Sequence, residues 1–217
     1  MSLSSVNKVL KKMHEHQSTE KGSLGEKAVF EICEEFYDNE GGILIHSYSY
    51  KTDPQLAGNI KKNDNGQLFV EHLGEFTEID IMYVSKYRIY PIEVKAYRAK
   101  SIEFQDDGIY GCRKTDKSPI HQNEMHCRHL YSSIFRALPN GDTSYIIPVV
   151  CMVDKCDITD ARSDWQKEYI HLCTLNTLRS FILETNTPLE CKLNLTLVDN
   201  ILREQMIKNE VYLPVRL

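Results

Sequence analysis

The chain has 217 residues, 41% hydrophobic and 26% charged, a balance close to globular averages and enough for one large domain or one domain with a small appendage. Its formal net charge of -5 excludes a basic nucleic-acid coat, so any contact with a polyanion needs a local basic patch or metal ions. The longest apolar run, "YIIPVVCMV", is too short to span a bilayer, and the opening "MSLSSVNKVLKKMHEH" lacks the apolar core of a secretory signal. These features read as a soluble, cytoplasmic protein. Seven cysteines, an odd number without a CxxC pair, argue for reduced thiols instead of a disulfide framework.

In chain order, residues 3–16 carry Val6, Leu10 and Met13 at helical spacing. A second helix is expected from Leu24 to Tyr37, with Ser23 as cap and Glu26 three residues on, as in a capping box. Residues 43–50 form a strand candidate, and 51–66 read as turn-rich loop. Strands are expected near 76–84 and 88–97, joined by a turn at Ser85–Tyr87, with a short strand in 106–114. The best helix is 118–138, where Ser118 suits the N-cap and Pro119 the first helical position. Strands at 144–154 and 168–174 and helices at 176–185 and 196–208 complete the chain. Strands alternating with helices favour one mixed α/β domain. The organisation read from this is an N-terminal helix within 1–20, a core over 21–138 and a C-terminal extension of the same domain over 139–217.

The hairpin "TEIDIMYVSKYRIYPIEVKAY" is rich in residues that suit a buried sheet, yet it carries Glu78, Asp80, Glu93 and Lys95. Alternation puts Glu78 with Asp80 on one face and Glu93 with Lys95 on one face, opposite Ile79, Ile81 and Tyr83 and opposite Ile92, Val94 and Ala96. A buried unpaired carboxylate costs several kcal/mol, and two held close repel and raise one pKa. A divalent cation removes both problems, and Mg²⁺ commonly binds through one or two carboxylates plus substrate phosphates. Lys95 adds a cation suited to charge growing on a phosphate. A solvated hairpin with an ordinary Glu–Lys pair is the rival explanation of the same residues.

Two helices offer further groups. Glu26 shares a stripe with Val29, Phe30, Cys33 and Tyr37, so it either points to the core or closes a capping box with Ser23; the residues leave both readings open. Gln122 lies away from the stripe of Ile120, Cys127, Tyr131, Ile134 and Leu138, facing a cleft or solvent. Cys112, His121, His126, Cys127 and His129 have spacing too irregular for a zinc site and read as ordinary helix residues. Loop and helix motifs for NTP hydrolysis, serine hydrolysis and zincin chemistry are absent from the sequence.

The ordered set "GEKAVFE", "EID", "IEVK" and "SPIHQNEMH" resembles the nuclease-related domain (NERD) family within the PD-(D/E)XK nuclease superfamily, over about residues 22 to 138. The resemblance implies a restriction-endonuclease-like core, a central mixed β-sheet flanked by helices. It implies a Mg²⁺- or Mn²⁺-dependent nuclease, an endonuclease acting on DNA. It makes Asp80 and Glu93 metal ligands, with the Val94 carbonyl as a third and Glu26 as support. Lys95 becomes the catalytic lysine, Gln122 orients substrate or that lysine, and Glu78 has a supporting role only. Arg98, Lys100, Arg113 and Lys114, with Lys117 and Arg128 nearby, form the expected phosphate-contact surface. The rival functions are a nuclease-fold module that binds nucleic acid or protein without cleaving, and a plain α/β scaffold.

Overall fold

The computed structural model describes residues 23–51, 58–62, 68–72, 76–97, 99–112, 118–153 and 156–216; the helix expected at 3–16 lies outside them. Its core is a seven-stranded mixed sheet in the order β10-β8-β5-β4-β1-β11, with β12 also on β1. The central strands are β1 (Gly42–Lys51), β4 (Phe76–Val84) and β5 (Ile89–Lys95), with β4 antiparallel to both of its neighbours. On the far side of β5, β8 (Val149–Met152) and β10 (His171–Thr174) continue the sheet in parallel. Next to β1, β11 (Met206–Lys208) and β12 (Val211–Arg216) close the other edge. Strands drawn from the segment after residue 139 therefore line both flanks of the three central strands. The fold is mixed α/β with a restriction-endonuclease-like core.

Helices cover both faces. On one, α1 (residues 23–40) and α4 (Leu175–Thr185) supply Val29, Cys33, Phe36, Leu178 and Ile182, packed on Leu44, Ile81, Tyr83, Ile92 and Val94. On the other, α2 (Pro119–Ile134) and α5 (Leu195–Gln205) supply Leu130, Ile134, Val198 and Leu202, packed on Ile43, Ile45, Met82 and Val84. Strand alternation explains this division, since successive residues feed opposite layers.

The alternation slips by one at a single rung. Tyr48 and Tyr50 of β1 and Ile79 of β4 join the α2/α5 layer, although strict alternation from Leu44 and Ile81 would send them to the other. The ladder runs His46↔Ile81 and then Tyr48↔Ile79, so the residues at the slip are Ser47 and Asp80. Ser47 has φ +56°, a left-handed conformation that costs a non-glycine residue roughly 1–3 kcal/mol. The sequence expectation that Ile79, Ile81 and Tyr83 share a face is corrected here: the kink turns Ile79 to the opposite layer.

Other differences are local. The segment read as loop from 51 to 66 contains β2 (Gly58–Lys62), paired with β3 (Leu68–His72). A three-stranded sheet in the order β7-β6-β9 joins β6 (Ser101–Gln105), β7 (Gly108–Tyr110) and β9 (Asp157–Asp160), of which the sequence indicated β7 alone. These strands are too short to show a period. The 144–154 strand is shorter than expected because Thr143–Tyr145 form a 3-10 turn, and a short helix, α3 (Asp164–Tyr169), precedes β10.

Helix α2 is fixed to the sheet by a buried polar side chain. Fully buried Asn123 donates its amide to Pro91 O (3.2 Å) and Val149 O (2.7 Å), tying the helix to β5 and β8 at once. Ser118 and Pro119 start the helix as their residue types require, the Ser118 hydroxyl accepting from His121 N at 3.5 Å. Replacing Asn123 with Ala removes both of these hydrogen bonds, each worth about 0.5–1.5 kcal/mol, from carbonyls that the β5–β8 ladder already engages. We expect Asn123→Ala to lower the unfolding free energy by about 1–3 kcal/mol in urea titrations; a change within error would remove Asn123 as the clamp.

Candidate active site

The β4–β5 ladder stops at Ile81↔Ile92, although both strands run on past that pair. Beyond it the strands open into a fork, and the Asp80 carboxylate fills the gap. Its Oδ2 accepts from Val94 N at 2.7 Å, replacing the carbonyl that a continued ladder would have offered. The N–H and C=O of one strand residue leave on the same edge, so the Val94 carbonyl is turned into the same fork. Asp80 therefore stands at a double break: it is unpaired with β5 on one side and opposite the kinked Ser47 on the other.

Glu93 projects on the α2 side and is fully buried. Lys95 Nζ closes on its Oε1, and His126 Nε2 lies 3.3 Å from its Oε2. Neither Glu93 oxygen has a hydrogen-bond partner of good angle, so charge, more than directed hydrogen bonding, holds the carboxylate. His126 Nδ1 is 2.7 Å from Thr77 Oγ1. With the Thr77 hydroxyl donating, the Nε2 proton faces Glu93; this tautomer is assigned from the network. Sequence reasoning set His126 aside as an ordinary helix residue. The signal was there: His126 stands four residues after Gln122, on the same stripe of α2.

Glu26 comes from the opposite layer. Ser23 is itself helical, so it is not the cap, and Glu26 Oε2 turns to His46 Nε2 at 3.4 Å, not back to Ser23. His46 Nδ1 in turn lies 3.3 Å from Glu210 Oε2. His46 was the second residue missed; its mark was a lone polar ring in an otherwise buried strand. Gly25 explains how α1 comes so near: a Cβ there would meet Val153 Cγ2 at 2.5 Å, so only glycine lets the first helical turn lie on the end of β8.

The electrostatics couple these groups. Burial first, then the neighbouring Glu93 carboxylate, push the Asp80 carboxyl up to about 8; Lys95 and the Val94 N–H pull the other way, and Glu26 adds a further push. For Lys95 burial opposes the charge, but Glu93, Asp80 and Glu26 outweigh it and hold the ammonium above its usual value. Asp80, Glu93, Lys95 and Glu26 are thus brought together. Gln122 sits one turn before His126 on α2, half-buried. Glu78 is exposed and accepts from Ser49 Oγ at 2.8 Å, facing away from the fork. Lys100 is exposed, and the side chains of Arg98, Arg113 and Lys114 lie outside the described residues. Arg128 pairs with Glu124 on the surface of α2.

The family of nuclease-related domains matches residues 21–153, the stretch that runs from the Glu26 helix through the fork to the end of β8. The chain belongs to the nuclease-related domain family. Comparison with curated proteins and with solved structures returned no match. The matched stretch includes the glycine that seats α1, both fork strands and α2. Among the described residues no helix is long and apolar enough to cross a membrane.

Among the described residues no group of three or more His, Cys, Asp or Glu side chains is arranged to hold a metal ion, which does not suit the all-protein cage of a structural zinc site. Two carboxylates and a backbone carbonyl at an opened strand edge do fit the sparser protein share of a Mg²⁺ site, where water and substrate phosphate supply the remaining oxygens.

An Asp whose folded pKa exceeds its unfolded value of about 3.9 binds its proton more tightly when folded. Its stabilising contribution is complete below about pH 4 and is lost as pH rises through about 8. Asp80→Asn keeps an acceptor for Val94 N–H and carries no charge. In chelator, its Tm is expected to rise above that of the wild type by a margin that widens from about pH 5 towards pH 8. A margin that is flat across this range would show that Asp80 does not titrate there.

Proposed function

We propose that this chain is a Mg²⁺- or Mn²⁺-dependent nuclease that hydrolyses phosphodiester bonds, with DNA as its substrate and internal bonds as its target. The observation that carries the reading is the meeting of Asp80, Glu93, Lys95 and Glu26 at the β4–β5 fork, in a chain of the nuclease-related family.

In this reading Asp80, Glu93 and the Val94 carbonyl hold the cation, with Glu26 supporting from α1. A cation so held would polarise the phosphoryl oxygen and lower the pKa of an attacking water. Lys95, one quarter exposed on its side chain (27%) while its partner Glu93 is sealed, faces the position where negative charge grows during attack, and a preplaced ammonium there costs no reorganisation. Thr77 and His126 keep Glu93 from turning away, which preserves the spacing of the two carboxylates. Gln122, on the His126 stripe, orients the phosphodiester. Water adds to phosphorus, the P–O ester bond breaks, and the products are a phosphate-bearing end and a hydroxyl end. Lys100, with Arg98, Arg113 and Lys114, supplies the phosphate contacts that an acidic chain must concentrate locally.

Asp80→Ala and Lys95→Ala are expected to abolish cleavage of labelled DNA in Mg²⁺ or Mn²⁺ while far-UV circular dichroism stays that of the wild type. Isothermal titration is expected to detect divalent binding in the wild type and its loss in Asp80→Ala. No cleavage of DNA or RNA in either metal, together with no divalent binding, would refute the reading. Nucleic-acid binding equal in wild type and Asp80→Ala, with no turnover in either, would make the protein a binding module on a nuclease fold.

A further inference from the structure

Helix α2 has a second working flank. Gln122 and His126 lie on the stripe that meets Glu93, whereas His121 and Glu124 line a separate cleft of about 140 Å³ together with the β6–β7 turn and α3. Trp165 and Tyr169 of α3 form part of its wall. Trp165 is the chain's single tryptophan, and it is 65% exposed, with Tyr169 43% exposed. Two exposed rings on the lining of one cleft offer apolar faces to a ligand there.

Helix α3 is firmly held. Arg162, 3% exposed, grips Asp160 through two nitrogens, each at 2.8 Å, and donates to Ile170 O at 2.9 Å, bracketing the helix at both ends. Asp106 Oδ1 accepts from Ser163 N (2.8 Å) and Ser163 Oγ (3.0 Å), tying the β6–β7 turn to the start of α3. The aromatic wall is held rigidly beside the cleft.

The lining chemistry narrows the occupant. Asp106 and Asp107 on the lining repel a phosphate, whereas Glu124 is already paired with Arg128. A nucleobase is neutral, presents a π face to Trp165 or Tyr169, and offers amino and imide N–H groups to the carboxylates. We propose that this cleft is a base-stacking pocket that takes one unpaired nucleobase beside the cutting site, so that the substrate is nucleic acid with a single-stranded segment. The placement favours it: His121 and Gln122 are adjacent residues on the first turn of α2, so a strand whose phosphate lies on the Gln122 flank has a neighbouring base within reach of the other flank, a helix being about 10–12 Å across with its side chains. The substrate class rests on the nuclease reading; the pocket itself does not.

Because Trp165 is the single tryptophan, intrinsic fluorescence reports on the pocket without any cleavage. In chelator, oligothymidine is expected to quench Trp165, whereas an abasic strand of equal length and a blunt duplex leave it unchanged. By fluorescence anisotropy with labelled oligothymidine, Trp165→Ala is expected to bind roughly 5- to 150-fold more weakly, the loss that accompanies one stacked base, and Trp165→Phe to retain most of the affinity. Equal quenching by the abasic strand, or unchanged affinity in Trp165→Ala, would overturn the pocket. The two readings fail separately. Quenching with no cleavage in either Mg²⁺ or Mn²⁺ and no divalent binding removes the nuclease and keeps the pocket, and cleavage of blunt duplex without any quenching by oligothymidine removes the pocket and keeps the nuclease.

Discussion

The hydrogen bond from Val94 N–H to the Asp80 carboxylate is the contact on which the arrangement turns. A sheet whose ladder stops part-way leaves backbone donors and acceptors without partners, and a buried one costs about as much as a lost hydrogen bond. Here a side chain takes the place of the missing strand. The carboxylate that satisfies Val94 is thereby held in the plane of the sheet, at the mouth of an opened pair of strands. An uncharged acceptor at that position would also satisfy the Val94 N–H, but it would offer no ionisable carboxyl beside Glu93.

The kink at Ser47 belongs to the same device. Asp80 has no ladder pair on either side, and the alternation of both β1 and β4 slips at that rung. Because of the slip the carboxylate belongs to neither helical layer and is reached from both: Glu26 from the α1 layer, Glu93 and His126 from the α2 layer. Lys95 is the counter-charge common to all three acidic groups and offsets only part of their charge. The uncompensated part appears in Asp80, whose carboxyl is held up to about 8 by burial and by Glu93. Such an arrangement stores unfavourable charge where a cation would relieve it, a pattern more typical of working sites than of structural ion pairs.

The positions of the helices follow from small features. Gly25 admits α1 to Val153, and Asn123 staples α2 to two strands at once. Each fixes the place of a side chain one residue away: Glu26 after Gly25, Gln122 before Asn123. Helix α2 then serves two flanks, one towards Glu93 and one towards the aromatic cleft, and the bracing of α3 by Arg162 keeps that second flank in place.

Much of this was legible in the residues. Period-two apolar runs marked β1, β4 and β5, Ser118-Pro119 marked the start of α2, and Asp80, Glu93 and Lys95 stood out as charges within an apolar hairpin, because strand alternation, capping and buried charge are local properties that a sequence displays directly. The short strands β6, β9, β11 and β12 were not legible, since three to six residues carry no reliable period. Nor were the partners His126 and His46, whose roles exist only because β5 and α1 lie against them. The kink is the sharpest case. Nothing in "HSY" or "EIDI" announces a slip of alternation, because a bulge conformation is decided by what pairs on either side. Chemistry at single positions was written in the chain; which carboxylate lies in the fork, and which layers meet there, was settled by where the strand ladder stops.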